Sequence, residues 1–234
     1  MGKGNSSDMS AGAYLILLHP HNADSKGGYV KQEAEMRELL GERVRIRPWR
    51  RADTLMQERW PRYSEPFSSL WNIPRPYQPS YDDQFWTGAT EAWAIELRSG
   101  QLIGRLSLRE IDRKQQSARL GISLAQPYVG QGLGGEALRL FLAYYFGSLG
   151  FQRMVLDVAA FNQRAVRCYQ RLGFVELRSE WRHTGNDPVL RLLDEEQYQH
   201  LRPYFRRNRF DTQVEFYEME LTREAWLAAG GALM

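Results

Sequence analysis

One continuous stretch, residues 120–174, constrains the fold more than any other part of the chain. It opens with alternating apolar residues, the pattern of a strand with one buried face, at Leu120, Ile122 and Leu124. A glycine-dense turn follows, and after it apolar residues recur at the spacing of one helix face: Leu133, Ala137, Leu140, Phe141 and Tyr144. Residues 154–159 then resemble a strand, and residues 162–172 a helix capped by Asn162 and stopped by Gly173. This order predicts a parallel pair of strands with a right-handed crossover.

The glycine turn predicts an anion-binding site. Four glycines lie within six positions, which is more than a tight turn requires: Gly130, Gly132, Gly134 and Gly135. Without side chains to cover them, the backbone N–H groups of this turn can be approached by a phosphate. The positive end of the following helix favours the same ligand. We therefore expect a diphosphate to bind here.

The flanking segments predict a largely antiparallel sheet. Three strands connected by short turns form a meander at 91–97, 102–109 and 118–124. Further strands are predicted at 13–19, 43–47, 175–181 and 214–221, and helices at 31–40, 53–60 and 187–209. Residues 61–86 form a long segment rich in proline and aromatic residues. Most of these rings are expected to anchor the segment to the core, and some are candidates for the wall of an acceptor pocket: Tyr63, Phe67, Trp71, Tyr77, Tyr81, Phe85 and Trp86.

Composition argues against several classes of protein. The formal charge of +3 is small, and no stripe of Lys and Arg interleaves with stacking aromatics, so we expect no nucleic-acid partner. Apolar runs fall short of the roughly 20 residues that span a bilayer, so no membrane partner is expected. Cys168 is the single cysteine, which excludes an intrachain disulfide and is typical of a reducing, cytoplasmic compartment. The four histidines lack metal-ligand spacing, and we expect no metal.

A dinucleotide-binding oxidoreductase is one interpretation of the turn. Gly130, Gly132 and Gly135 match the G-x-G-x-x-G pattern, and Asp157 follows at a strand end where an NAD(P)-binding fold keeps its ribose-binding acid. Against this, the unit follows an antiparallel meander, and residues 125–128 separate the strand from the glycines. The second helix also carries a pattern that dinucleotide binding does not need.

That second pattern comprises Asn162, Ala165, Cys168, Tyr169, Leu172, Gly173 and Phe174. Together with the sequence from Gln126 to Gly134, it resembles the GNAT superfamily of acyl-CoA-dependent N-acyltransferases. Arg47-Pro48-Trp49 and Gly134-Gly135-Glu136-Ala137 resemble its ribosomal-protein N-terminal acetyltransferase branch. The resemblance implies a mixed α/β fold, with a central, mostly antiparallel sheet splayed at a parallel pair and flanked by helices. Residues 1–42 would form a tail and short extension, and residues 43–234 the acyltransferase domain, with an insertion at about 183–212.

The resemblance also implies roles for particular residues. Loop amides would hold the CoA pyrophosphate at Gly130, Gln131, Gly132, Leu133, Gly134 and Gly135, next to Val129, where the family usually has Arg or Gln. The backbone of Ile122 and Leu124 would pair with the pantetheine arm, and an N–H near Leu124 would polarise the thioester carbonyl. Asn162 would hydrogen-bond the cofactor arm, and Tyr169 would protonate the departing thiolate.

The implied activity is transfer of an acetyl group from acetyl-CoA to a primary amine by direct attack. The amine could belong to a protein N-terminus, a lysine or a small molecule. No covalent intermediate is required, so Cys168 is expected to be a packing residue. Arg119 replaces the Glu that many relatives use as a base, and the remaining candidates are Glu110, Asp157, His183, a water chain or an amine that arrives neutral.

A non-catalytic acyl-CoA-binding or regulatory module is the alternative outside the enzyme class, motivated by Arg119 and Val129. The insertion at about 183–212 is a candidate cover for the acceptor pocket or a candidate surface for a homodimer.

Overall fold

The computed structural model describes residues 38–73, 75 and 91–234, which all belong to one compact unit. Within them, nine strands form a single sheet in the order β1-β2-β3-β4-β5-β6-β9-β7, and β8 also pairs with β9. The strands are β1 Leu39–Leu40, β2 Val44–Pro48, β3 Glu91–Leu97, β4 Leu102–Asp112, β5 Ser117–Leu124, β6 Arg153–Ala159, β7 Val175–His183, β8 Phe205–Arg207 and β9 Thr212–Thr222. All pairs are antiparallel except β5–β6, so the predicted mixed α/β class is confirmed.

The helices follow the predicted order around the glycine turn. The α-helices are α1 Arg51–Gln57, α2 Leu133–Phe146, α3 Gln163–Arg171 and α4 Arg223–Ala228. Four 3₁₀ segments lie at Ser68–Asn72, Gln126–Tyr128, Pro188–Asp194 and Glu196–Tyr204. Asn162 caps α3 as expected, because its side-chain oxygen accepts a hydrogen bond from the Ala165 N–H at 3.3 Å.

The sheet divides at its parallel pair. β5 and β6 pair only from Ser117–Arg153 to Leu120–Leu156. Beyond that point β5 continues to Leu124 and β6 to Ala159 without pairing to each other. The predicted splay is therefore confirmed, and it leaves an opening between the carboxyl ends of the two strands.

The two faces of the sheet differ in chemistry because side chains alternate along each strand. Leu108, Leu120 and Leu156 lie on the face that α2 and α3 cover, and each is at most 3% exposed. The opposite face carries charged residues at the alternating positions: Arg105, Arg109, Arg119, Asp157 and Glu218. The opening between β5 and β6 thus connects an apolar face to a charged face.

Two predicted elements differ from the structure. Of the predicted helix at 31–40 only residues 38–40 are described, and Leu39–Leu40 instead forms strand β1, since Leu39 pairs with Ile46 and buries its side chain. The predicted helix at 187–209 is two 3₁₀ segments and strand β8. Pro203 lies inside the second segment and lacks the N–H that an α-helix interior requires. The predicted strand at 13–19 lies outside the described residues.

The connection from β7 to β9 builds a second apolar cluster beside the opening. Val214 of β9 pairs with Arg182 of β7 on one side and with Phe205 of β8 on the other. This second side is the one on which β9 also pairs with β6. β8 therefore extends the line of β6 beyond Ala159. Around it, buried side chains form a cluster with the 3₁₀ segment at 68–72: Phe67, Leu70, Phe161, Leu190, Leu193, Phe205 and Phe216.

Candidate active site

A cleft of about 330 Å³ lies where β5 and β6 separate. It brings together most of the residues that the sequence analysis assigned to a cofactor site: Ile122, Leu124, Val129, Gly130, Gly132, Gly134, Gly135, Asn162 and Tyr169. Gln131 and Leu133 complete the same turn without lining the cleft. The side-chain amide of Gln131 donates to the Pro127 carbonyl at 2.6 Å, and the Leu133 side chain is buried in the core.

The glycine turn presents uncovered backbone donors to the cleft. Gly130 and Gly132 have φ of 82° and 79°, the left-handed region that favours glycine. Gly132 is the N-cap of α2, and among the described residues no side chain caps the amides of this helix. Those amides, the helix dipole and the open space around Gly130 together form a site suited to an anion.

An ion pair holds this turn against β2. The Glu136 carboxylate, in the first turn of α2, accepts hydrogen bonds from the Arg43 N–H at 2.7 Å and from Arg43 Nε at 2.9 Å. Arg43 Nη1 also donates to the Gln131 carbonyl at 3.1 Å. Burial acts to raise the pKa of Glu136, but these hydrogen bonds outweigh it and hold the pKa below its ordinary value. The sequence analysis missed this ion pair, because Arg43 and Glu136 are 93 residues apart.

Tyr169 lies on α3 at the wall of the cleft and is 9% exposed. It shares the α2–α3 face with the glycine turn, and its ring lies 5.8 Å from that of Phe174. Burial strongly raises the pKa of the Tyr169 phenol, so it keeps its proton at neutral pH. Its neighbour Cys168 also lines the cleft, and burial raises the pKa of its thiol, which disfavours the reactive thiolate.

The segment before β3 contributes aromatic rings to the cleft. The Tyr63 hydroxyl donates a short hydrogen bond to the carbonyl of Leu124, the last residue of β5. Trp71 packs edge-on against Tyr63 at 4.9 Å between ring centroids, and both rings line the cleft. Phe67 instead lies in the second apolar cluster. The other four rings of the segment lie outside the described residues: Tyr77, Tyr81, Phe85 and Trp86.

Asp157 is the one candidate base from the sequence that lines the cleft. Its carboxylate accepts hydrogen bonds from Arg75 at 2.6 Å and Arg119 at 2.8 Å, and Arg182 lies 3.4 Å away. Burial acts to raise the pKa of Asp157, but the Arg75 hydrogen bond and the three cations outweigh it and lower the pKa. A carboxylate held in this way is a weak proton acceptor. It is also engaged and so unsuited to bind a ribose, which counts against the dinucleotide interpretation.

The other two candidate bases lie elsewhere. Glu110, at a bulge of β4 with φ of 49°, bonds Arg119 Nε at 2.8 Å. His183 lies on exposed β7 and pairs with Asp211 at 2.7 Å between Nδ1 and Oδ2. Neither residue lines the cleft.

A sequence model of the acetyltransferase (GNAT) domain matches residues 43–175, which is more than half of the chain. The chain belongs to the GNAT acetyltransferase family. The resemblance inferred from the glycine turn and the α3 pattern is thereby confirmed. In the described part of the chain, no cluster of three or more His, Cys, Asp or Glu side chains is arranged to hold a metal ion. No helix of those same residues combines the length and apolarity of a membrane span.

The names of individual relatives of this GNAT domain give different amine substrates. Spermidine N(1)-acetyltransferase of Vibrio cholerae is 30% identical over 114 residues, which cover 49% of this chain and 64% of that enzyme. The Bacillus subtilis protein YdaF, whose name proposes a ribosomal N-acetyltransferase, is 30% identical over 80 residues, covering 34% of this chain and 44% of YdaF. The chain thus spans less than two thirds of the length of these relatives. A crystal structure of the Vibrio cholerae spermidine N-acetyltransferase with CoA and spermine shares the fold, with a TM-score of 0.54 at 21% identity, over 79% of this chain and 98% of that one.

Proposed function

We propose that this protein transfers an acetyl group from acetyl-CoA to a primary amine. The observation that carries the proposal is the cleft, which joins the uncapped start of α2, the end of β5 that no longer pairs with β6 and the buried phenol of Tyr169. A thioester carrier needs these three parts in this order: an anion site, an extended track and a proton donor. The family match supports acetyl-CoA as the cosubstrate.

The glycine turn supplies the anion site. Amides of residues 130–135 would hold the CoA pyrophosphate, and Val129 adds no charge there. The β6 side of the end of β5 supplies the track, since it is unpaired there and the backbone of Ile122 and Leu124 would bond the pantetheine arm as an added strand does. Asn162, at the start of α3, lines the cleft where it would bond the same arm.

The reaction joins the amine nitrogen to the acetyl carbon and breaks the bond from that carbon to sulfur. A backbone N–H near Leu124 would stabilise the oxyanion that forms in between. The sulfur leaves as a thiolate and takes a proton from Tyr169. The amine gives up its own proton to solvent, and solvent returns a proton to the Tyr169 phenolate. Because Asp157 is engaged by arginines, we propose that the amine arrives in its neutral form or loses its proton through water.

Three finer features remain proposals. The insertion at about 183–212 supports the cleft wall, since Tyr198 packs 5.3 Å from Phe67 and Asp187 accepts a hydrogen bond from Ser69 at 2.8 Å. We also propose a homodimer through the outer surface of this insertion, which light scattering of the full chain tests. The lone Cys168 supports a cytoplasmic location.

The experiment that tests the function mixes the full chain with acetyl-CoA and a panel of amines, and follows free thiol and acetylated product. The panel should include spermidine, lysine, free amino acids and peptides with open N-termini. We expect thiol release that depends on an amine and matches product formation. Binding of CoA without thiol release for any amine would favour the non-catalytic acyl-CoA-binding module.

A further inference from the structure

The cleft extends through the opening in the sheet to the charged face, where Arg109 lines it. Arg109 lies on β4 opposite Arg119 of β5. Its guanidinium reaches over Gly121, since a Cβ added to Gly121 would lie 3.9 Å from Arg109 Nε and Nη2. Arg109 therefore borders the end of the cleft that faces away from α2, α3 and the glycine turn.

Arg109 has no acidic partner among the residues that the structure describes. Its neighbour on the same face, Arg119, does have acidic partners, because it bonds Glu110 and Asp157, each at 2.8 Å. Among the described residues that line the cleft, Asp157 has the only carboxylate, and three arginines already engage it. Arg105 shares the face of Arg109, and its Nε is buried without a hydrogen-bond partner. The described residues at this end of the cleft therefore offer positive charge and no free carboxylate.

The anion that Arg109 would meet does not belong to CoA. In the proposed function the pyrophosphate binds the glycine turn, which lies on the α2–α3 face together with Leu124 and Tyr169. The other arginines of the cleft, Arg164 and Arg171, belong to α3. Arg164 is paired with Glu65 at 2.7 Å. An anion at Arg109 would thus enter from the acceptor side.

We propose that Arg109 binds a carboxylate carried by the acceptor, so that the substrate is a primary amine that also bears a carboxylate. This inference rests on the proposed function and names the substrate class of the same site. The planar guanidinium can donate two parallel hydrogen bonds to a carboxylate, which fixes both its position and its direction. A polyamine would instead place positive charge beside Arg109 and find no free carboxylate in the described lining.

The test compares matched amines that differ only in this charge. Free amino acids and dipeptides with an acidic second residue are assayed beside their carboxamides, and spermidine serves as the cationic probe. We expect the carboxylate form to have a kcat/KM on the order of 10- to 100-fold above its carboxamide, the range for a hydrogen bond to a charged group. Arg109→Gln should remove that preference by raising the KM for the acids, with the KM for acetyl-CoA unchanged, and Arg109→Lys should restore part of it.

Arg98→Gln is the matched control, since Arg98 is exposed on the turn after β3 and does not line the cleft. It should leave the preference intact. Equal use of acids and carboxamides, a preference for spermidine, or an Arg109→Gln enzyme that keeps the preference would overturn this inference and leave the proposed function standing. Failure of every amine to release thiol from acetyl-CoA would overturn both. Unfolding midpoints of the variants confirm that each compared protein is folded.

Discussion

Arg119 Nη1 lies 2.8 Å from Asp157 Oδ1, across the parallel pair at the point where β5 and β6 begin to separate. The ion pair fixes the two strands beside the opening that forms the cleft. It also changes what Asp157 can do, because the bonds to Arg75 and Arg119 lower its pKa and make the carboxylate a weaker proton acceptor. Arg119 and Asp157 thus both belong to a structural network of ion pairs.

The pH dependence of turnover should follow the acceptor rather than the enzyme. Because the pKa of Asp157, the one carboxylate in the described lining of the cleft, is lowered, we expect the fraction of neutral amine to limit the rate, so that kcat/KM rises with pH up to the pKa of that amine. Two amines whose pKa values differ by about two units should give rising limbs separated by about as much. A limb at the same pH for both amines, lost on changing Asp157 to Asn, would show that Asp157 is the base.

Replacing Tyr169 by Phe should lower kcat by about 100-fold, the low end for loss of a general acid. Affinity for acetyl-CoA should change little, since the phenol acts on the sulfur that leaves. Steady-state kinetics and calorimetric titration with CoA separate the two quantities. Tyr144→Phe is the matched control, because Tyr144 is equally buried on α2 but does not line the cleft. A Tyr169→Phe enzyme with full kcat would remove Tyr169 from the mechanism.

Arg43→Gln should weaken CoA binding about fivefold, which corresponds to the roughly 1 kcal/mol of an average hydrogen bond. Arg43 touches Gln131 and Glu136, and its loss should loosen the glycine turn without changing the chemistry of the thioester. Titration calorimetry gives the Kd, and kcat at saturating acetyl-CoA should stay near that of the parent. A large fall in kcat with unchanged Kd would contradict this positioning role.

Asp53→Ala should cost about 2 kcal/mol of unfolding free energy, because the buried Arg47 guanidinium loses one of its two carboxylate partners and keeps only Glu96. Asp53 is 2% exposed, and both of its oxygens accept hydrogen bonds from Arg47, at 2.7 and 2.8 Å. Glu91→Ala, which removes the exposed partner of Arg113, should cost less than about 1 kcal/mol. Urea denaturation of both variants checks the difference, and equal losses would show that burial of the network does not set its contribution.

Acid should destabilise the fold through its paired carboxylates. Burial opposes ionisation of Glu136, Asp157 and Glu218, but their arginine partners outweigh it and lower all three pKa values from 4.5, 3.8 and 4.5. Each carboxylate then adds stability at pH values above these ordinary values, and the contribution is lost as the pH falls through the lowered pKa values. Unfolding free energies measured from pH 6 to pH 3 should fall at the acid end, and a flat profile would contradict the ion pairs.

Much of the fold could be predicted because the glycine turn and the α3 pattern are local. Asn162 caps its helix through a residue three positions away, and β5 alternates within a single strand, so neighbours in sequence hold the information. The antiparallel meander followed from short turns for the same reason. Such features need no knowledge of distant contacts.

Other features depend on contacts that sequence spacing does not reveal. Arg43 meets Glu136 only after β2 and α2 have packed, and Tyr63 meets Leu124 from 61 residues away. β1 is two residues long and is held by pairing with β2 rather than by its own pattern. Arg109 alternates on β4 like any exposed strand residue, and only the opening in the sheet distinguishes it.

β8 belongs to the second apolar cluster and does not line the cleft, whereas the glycine turn does. Because β8 and the neighbouring 3₁₀ segments support Phe67 and its loop from outside, residues that do not line the cleft would, in the proposed function, position the loop that carries Tyr63 and Trp71. Sequence drift in this outer layer can retune which amines are admitted while the turn before α2 stays unchanged. Selectivity in this scaffold can thus evolve independently of thioester chemistry.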